Sequence, residues 1–305
     1  MPGCRWLCLF ALAGCYVRDA GHDYRPGGAV EASALCSAAA PGCPPCTVAE
    51  GGLCRDQFYP SAFRCDGDGQ CGGASCASGY CVFLDADGDG LDDAFEREIA
   101  ERNFPRLSVD PYDACPGPRL LLYRVRRHPS RADRFAVTYV DLYNRDCGTW
   151  NGHLGDNESF AITVAPDAAP GPAATVGVIA DAHRHTACES ISTCATTPGT
   201  GACAKNGAIT VYASRDKHGS YLDKDTCEDN CFDKCGDLVA AAVPLVDTGQ
   251  PDHPLTRDLT DENWLLVSDG WFSPLTHFNV WGDAQFGDAG YPKDQLTNLL
   301  APVDP

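Results

Sequence analysis

Sixteen of the nineteen cysteines fall into two even sets, eight between Cys36 and Cys81 and eight between Cys115 and Cys235, and this constrains the chain more than any other feature. Two even sets are what two separately cross-linked regions produce, and disulfides persist in oxidising compartments. The stretch Cys36 to Cys81 is punctuated by Pro and Gly and has few large apolar residues. Cross-links at about 2–5 kcal/mol each must supply there what burial cannot. Residues 36–82 are therefore expected to form a small Cys-rich disulfide module of loops and short strands, acting as a partner-binding unit or a spacer. Cys43-Pro-Pro-Cys46 has the spacing of half a zinc site, but no second pair at matching spacing accompanies it, so disulfides are expected instead.

The other three cysteines, Cys4, Cys8 and Cys15, lie at the start of the chain, where Arg5 precedes an apolar stretch from Trp6 to Ala13. A sparse charge, an apolar run and small residues before a processing point have the order of an export signal. Leu12-Ala13-Gly14-Cys15 resembles a bacterial lipobox, in which the Cys is acylated and becomes the new N-terminus. The expectation is a lipoprotein signal peptide over 1–14, lipidation at Cys15 and a flexible Gly- and Ala-rich tether over 15–35. Acyl chains hold a bilayer at about 0.8 kcal/mol per methylene, whereas the apolar run is too short to span one. Tyr16 stands where an inner-membrane retention Asp would be, which points to an outer-membrane lipoprotein of the bacterial cell envelope, or otherwise to secretion. A net charge of −19 excludes a nucleic-acid partner and suits divalent cations. The expected partners are a membrane, through the anchor, and a surface ligand or protein.

Asp85-Ala-Asp-Gly-Asp-Gly-Leu-Asp-Asp-Ala-Phe-Glu96 is the most specific motif. Hard cations take oxygen ligands, and an EF-hand loop supplies them from positions 1, 3, 5, 7, 9 and 12. Here those positions are Asp85, Asp87, Asp89, Leu91 through its carbonyl, Asp93 and Glu96, with Gly90 at the sharp turn. The expected cofactor is Ca2+. Leu91 takes position 7 where sensor loops carry an apolar residue at position 8, and no helix is evident ahead of the loop. The loop resembles the Asp-rich thrombospondin type 3 and dockerin-like loops of exported proteins, and the resemblance implies a calcium-rigidified joint over 83–103 with affinity of about 10⁻⁴–10⁻³ M. Asp66-Gly67-Asp68-Gly69 lacks the later acidic ligands and reads as a turn.

Phe95 and Ile99 lie four apart between charges, so a short amphipathic helix is expected over Asp92 to Arg102, closed by Pro105. Beyond it, Leu120 to Val125, Phe135 to Tyr143, Phe160 to Val164, Thr175 to Ala180 and Ile209 to Ala213 are β-branched or aromatic runs separated by Pro, Gly, Asp and Asn. Several short strands without intervening helical patterns favour an antiparallel sandwich. The fold class expected is mainly β: an antiparallel β-sandwich-like C-terminal domain, 104–305, preceded by the disulfide-rich module and the calcium loop with its helix.

Within that domain Asn103-Phe104-Pro105-Arg106-Leu107 with Asp110-Pro111, Gly155-Asp156-Asn157-Glu158 ahead of Ala161-Ile162-Thr163-Val164, and Val211-Tyr212-Ala213-Ser214 with Lys217-His218-Gly219-Ser220-Tyr221 form three blocks. On these, and on Trp281-Gly282, the domain resembles the vacuolar protein sorting-associated protein 62 family, although Asn157 stands where the family usually has Trp. The resemblance implies a β-rich domain with a trafficking or surface association and supplies no catalytic mechanism.

His153, Asp156, Glu158 and His218 are the candidates for a metal or acid–base site, because carboxylates beside a strand and an imidazole on a later turn are ordinary parts of both. Ala182-His183-Arg184-His185 resembles the His-Arg-His of necrosis-inducing secreted toxins without the Asp-Trp-Glu that follows it there, and reads as loop chemistry at the surface near a disulfide. Gly-x-Ser-x-Gly, His-Glu-x-x-His and phosphate-cradling Gly-Lys-Ser/Thr motifs are all missing from the sequence. Cys227, Cys231 and Cys235 are expected in disulfides to Cys188, Cys194 or Cys203, rather than in a metal cluster. Trp264, Trp271, Phe272, Phe278 and Trp281 read as core, with a carbohydrate-stacking face as the lesser alternative. The favoured expectation is an exported calcium-binding lipoprotein, a non-catalytic surface or binding protein. The alternative is an exported hydrolase with a site around Asp156, Glu158 and His218.

Overall fold

The computed structural model describes residues 41–302 apart from 87, 115–119, 149–151, 153, 185, 196–202, 205–206, 237, 244, 249–295 and 297–298. The signal peptide, Cys15, the tether and Trp264, Trp271, Phe272, Phe278 and Trp281 lie outside the described residues.

Five short strands form the Cys-rich module: β1 (Thr47–Glu50), β2 (Leu53–Asp56), β3 (Phe63–Arg64), β4 (Ser75–Ala77) and β5 (Tyr80–Val82), antiparallel in the order β1-β2-β3-β5-β4. Glu50 pairs with Leu53, so Gly51-Gly52 is a two-residue hairpin turn, and both glycines have the positive φ (59° and 86°) that such a turn requires. Cys43–Cys54, Cys65–Cys76 and Cys71–Cys81 are bonded, and Cys46 is also in a disulfide. The C-x-x-C pair therefore has no thiolate left for zinc.

The module does not keep its aromatic residues to itself. Tyr59 and Tyr80 are buried in one apolar core with Phe95, Ile99 and Ala100 of α1 (Asp93–Arg102) and with Phe135 of the following domain. Phe95 lies 4.8 Å from Tyr80 in a stack and meets Tyr59 and Phe135 edge-on at 5.7 and 5.3 Å. The α1 N-cap is Asp92, whose Oδ1 accepts from the amides of Ala94 and Phe95.

The remaining elements are β6 (Arg106–Val109), β7 (Leu120–Arg127), β8 (Phe135–Arg145), β9 (Leu154–Val164), β10 (Thr175–Ala182), β11 (Ser190–Ala195), β12 (Thr210–Ala213), β13 (Ser220–Tyr221), α2 (Lys224–Asp229), β14 (Val239–Ala240) and β15 (Leu245–Asp247). They form two sheets, ordered β11-β10-β9-β8-β7-β15 and β13-β12-β6-β14. The sandwich is mainly antiparallel, with two parallel pairs, β7/β15 and β6/β12. Val137 and Tyr139 of β8, Phe160 and Ile162 of β9, and Val178 and Ala180 of β10 share a core with Leu107, Val211 and Ala213 of the smaller sheet and with Ile209 just ahead of β12. Tyr139 lies opposite Phe160, with the rings stacked at 5.0 Å.

This inner face follows odd residues on β8 and even residues on β9, as strand alternation demands. Continued towards the β8–β9 turn, it changes character: Asp141 and Tyr143 follow Tyr139, and Glu158 and Asp156 precede Phe160. A second cross-linked lobe, carrying Cys188–Cys231 and Cys227–Cys235, packs beside that end of the sandwich, while Cys194–Cys203 ties β11 to the segment ahead of β12.

Candidate metal centres

The Asp85–Glu96 loop is folded by its own carboxylates. Asp85 accepts from the amides of Gly88 (2.7 Å) and Asp89 (3.1 Å) on Oδ1 and of Gly90 (3.0 Å) on Oδ2, while Asp89 Oδ1 accepts from Leu91 N at 2.9 Å. Gly90 has φ 86°, a conformation in which a Cβ is strained. Asp92 Oδ2 accepts from Phe83 N and Leu84 N, which pinches the neck of the loop against the start of α1. Asp93 accepts from Ala86 N on Oδ1, and its buried Oδ2 has no hydrogen-bond partner. Glu96, in the first helical turn, is buried, and Leu91 sinks its side chain into the shared core. Burial, aided by the charge of Asp85, raises the pKa values of Asp89 and Asp93. An all-oxygen donor set whose carboxylates repel one another fits a hard cation such as Ca2+. Asp87 lies outside the described residues.

One guanidinium ties this loop to both of its neighbours. Arg127 of β7 donates from Nη2 to Gly90 O (3.0 Å) and to Ala77 O of the module (2.9 Å).

The second centre closes the inner face at the β8–β9 turn. Asp141 lies directly opposite Glu158, and Tyr143 opposite Asp156. Asp141 is 0% exposed, and neither of its carboxylate oxygens has a hydrogen-bond partner. Like charges facing across a strand pair, with Cβ atoms about 4.5–5.5 Å apart, destabilise a sheet. Burial, and then the charge of Asp156, push both Asp141 and Glu158 well above the ordinary carboxylate range.

His218 stands over these carboxylates from the β12–β13 turn, at φ 60°. Its Nδ1 is 2.8 Å from Asp156 Oδ2 and its Nε2 is 3.3 Å from Asp113 Oδ2, while the ring stacks on Tyr143 at 3.7 Å. Burial alone would lower the imidazole pKa, but the two flanking carboxylates carry it up to about 10. Asp113 and Asp156 thus flank the imidazolium, while Asp141 and Glu158 face one another on the same inner face of β8 and β9. The unbonded Asp141 oxygens, facing Glu158 across the strand pair, are oxygen donors of the kind a hard divalent cation takes.

Of the candidates Asp156, Glu158 and His218, the imidazole meets Asp156 at 2.8 Å, and Glu158 lies two residues further along the same face of β9. His153 and His185 lie outside the described residues. His183 departs from its surface-loop expectation. It adopts φ 55°, and its side chain turns inward to 11% exposure, with Nε2 2.7 Å from Asp233 Oδ2 and Nδ1 3.6 Å from Glu158 Oε1. Sequence reasoning missed Asp113, Asp141 and Asp233. Asp141 had a signal: it is the one charge in Phe135-Ala-Val-Thr-Tyr-Val-Asp-Leu-Tyr143, on the residue parity that faces the core.

No family model matches the sequence, and no curated protein matches it. Among solved structures, similarity is found to one described as "Toxin fold for microbial attack and plant defense", 14% identical, covering 52% of this chain and 77% of that chain with a TM-score of 0.32. It is also found to "NLPPya in complex with mannosamine", 15% identical, covering 57% of this chain and 81% of that chain with a TM-score of 0.31. The glucosamine complex of NLPPya gives 14%, 54%, 79% and 0.31 for the same four quantities. At these values the likenesses carry no argument about activity.

Proposed function

We propose that the chain is an exported calcium-binding lipoprotein of the bacterial cell envelope, a non-catalytic surface or binding protein built around two carboxylate sites for hard divalent cations. One ion, held by Asp85, Asp87, Asp89, Asp93, Glu96 and the Leu91 carbonyl, rigidifies the joint between the module and the sandwich. The other, held by Asp141, Asp156 and Glu158, fixes the β8–β9 end of the sandwich. Membership of the vacuolar protein sorting-associated protein 62 family is proposed with it, since two of the blocks that carry that resemblance hold Asp156, Glu158 and His218. The carrying observation is Asp141: a buried carboxylate with both oxygens unbonded, facing Glu158 across the strand pair.

Exported hydrolysis is the second reading, favoured by the convergence of Asp156, Glu158 and His218. Against it, His218 is 1% exposed, with a carboxylate within 3.3 Å of each ring nitrogen, so the imidazole is shut away from the water it would have to activate. Native mass spectrometry of the oxidised chain in calcium decides the cation count: two ions are expected, one lost in Asp85→Ala and the other in Asp141→Asn. A mass shift that Asp141→Asn leaves unchanged refutes the second site. Turnover on a substrate panel that disappears in folded Glu158→Gln would establish the hydrolase instead.

A further inference from the structure

Beside the Asp141 cluster runs a chain of polar groups that would not ligate the ion themselves. The His183 backbone amide donates to both Glu158 oxygens, at 3.4 Å to Oε1 and 3.2 Å to Oε2. His183 Nε2 and Tyr221 Oη both meet Asp233 Oδ2 at 2.7 Å, and Asn230 Nδ2 donates to Tyr221 Oη (2.7 Å) and to Cys188 O (2.8 Å). Asp233 N donates to Asn230 O at 2.8 Å, and Cys231, between the two, is bonded to Cys188. The contact closes over Gly219, where an added Cβ would lie 3.0 Å from both Asp233 Oδ2 and His183 Nε2.

A left-handed backbone is unfavourable for a residue other than Gly, and it persists only where the surroundings over-determine it. At His183 that conformation is what aims the amide at Glu158, and the Asp233 contact pins the ring so that the residue cannot relax and withdraw it. Glutamate has three side-chain torsions, so its carboxylate needs such a fixed donor to present one geometry to an ion.

We propose that Asp233, acting through His183, is a positioning residue for the Glu158 carboxylate of the cation site, and that the Cys188–Cys231 disulfide holds Asp233 in that role. This rests on the cation reading of the Asp141 cluster. Outer partners of this kind change metal affinity by about 10–100-fold when removed.

The test is calorimetric titration of Ca2+ into the full-length oxidised chain carrying Asp85→Ala, which leaves the Asp141 cluster as the remaining site. Added to that background, Asp141→Asn is expected to abolish the heat, and Asp233→Asn to weaken affinity by about 10–100-fold. Gly219→Ala, which leaves every polar group in place and sets a methyl 3.0 Å from His183 Nε2 and Asp233 Oδ2 and 3.1 Å from Ala182 Cβ, is expected to act in the same direction. Long-range proton–nitrogen NMR of the His183 ring supplies a signature that a merely structural role would not move: a fixed Nε2–H tautomer in the parent that is lost in Asp233→Asn. Unchanged affinity in both Asp233→Asn and Gly219→Ala, with binding still abolished by Asp141→Asn, overturns the positioning role alone. No Ca2+ uptake by the Asp85→Ala parent overturns the cation reading and this inference together.

Discussion

Replacing Asp141 by Asn is expected to raise the melting temperature of the chelated protein and to lower its response to calcium. Without an ion, the buried Asp141 carboxylate is either ionised with neither oxygen bonded or protonated at a cost. Protonation bounds that cost: from the ordinary value of 3.8 to an assay at about pH 7.5, at about 1.36 kcal/mol per pH unit, it is roughly 5 kcal/mol. An Asn has no charge to lose but leaves amide groups to be satisfied, at about 1–3 kcal/mol. The net gain is at most about 2–4 kcal/mol, or roughly 3–6 °C for a chain of this size. With an ion bound the difference narrows, because the parent gains RT ln(1 + [Ca2+]/Kd) at this site and the variant does not. Scanning calorimetry in chelator and in millimolar calcium reads both effects. A variant that melts below the parent in chelator would mean that Asp141 makes a stabilising contact, and a variant with an undiminished calcium response would mean that it holds no ion.

Phe95→Ala removes the ring that joins Tyr59, Tyr80 and Phe135, and should cost about 3–5 kcal/mol by chemical denaturation in one cooperative transition; two separate transitions would show that module and sandwich do not share a core. Asp85→Ala should lower the melting temperature more in calcium than in chelator, where only its three loop hydrogen bonds are lost, and an equal loss in both would contradict the loop assignment. Burial, then the guanidinium groups of Arg126, Arg131 and Arg134, hold the His128 pKa below its ordinary 6.5. The unfolded chain therefore binds this proton first, its contribution to stability is complete above about pH 6.5 and is lost as pH falls below it, and His128→Asn should flatten that part of the curve. An unchanged acid limb would refute the His128 assignment.

What could be read from the residues was what repeats along the chain. Phe95 and Ile99 marked α1, the alternation from Phe135 to Tyr143 marked β8, and the spacing of Asp85, Asp87, Asp89, Asp93 and Glu96 marked the loop. The strands β1 to β5 were too short to show a period, and their stability comes from cross-links whose pairing no spacing determines. The expected start of β9 at Phe160 fell six residues late because Asp156 and Glu158 occupy inner-face positions that a core strand would fill with apolar side chains. The pattern broke where the candidate site lies, so Asp156, Glu158 and His218 could be named but their partners could not. Asp113, Asp141, His183 and Asp233 reach the site from four separate segments, and only the fold places them together.

An anomalous difference map from crystals grown in millimolar calcium tests the two-site account most directly. Two peaks are predicted, one ringed by Asp85, Asp89, Asp93 and Glu96 and one between Asp141, Asp156 and Glu158. A map with density at the loop and none beside Asp141 would contradict the second centre, and a map with neither would contradict the account as a whole.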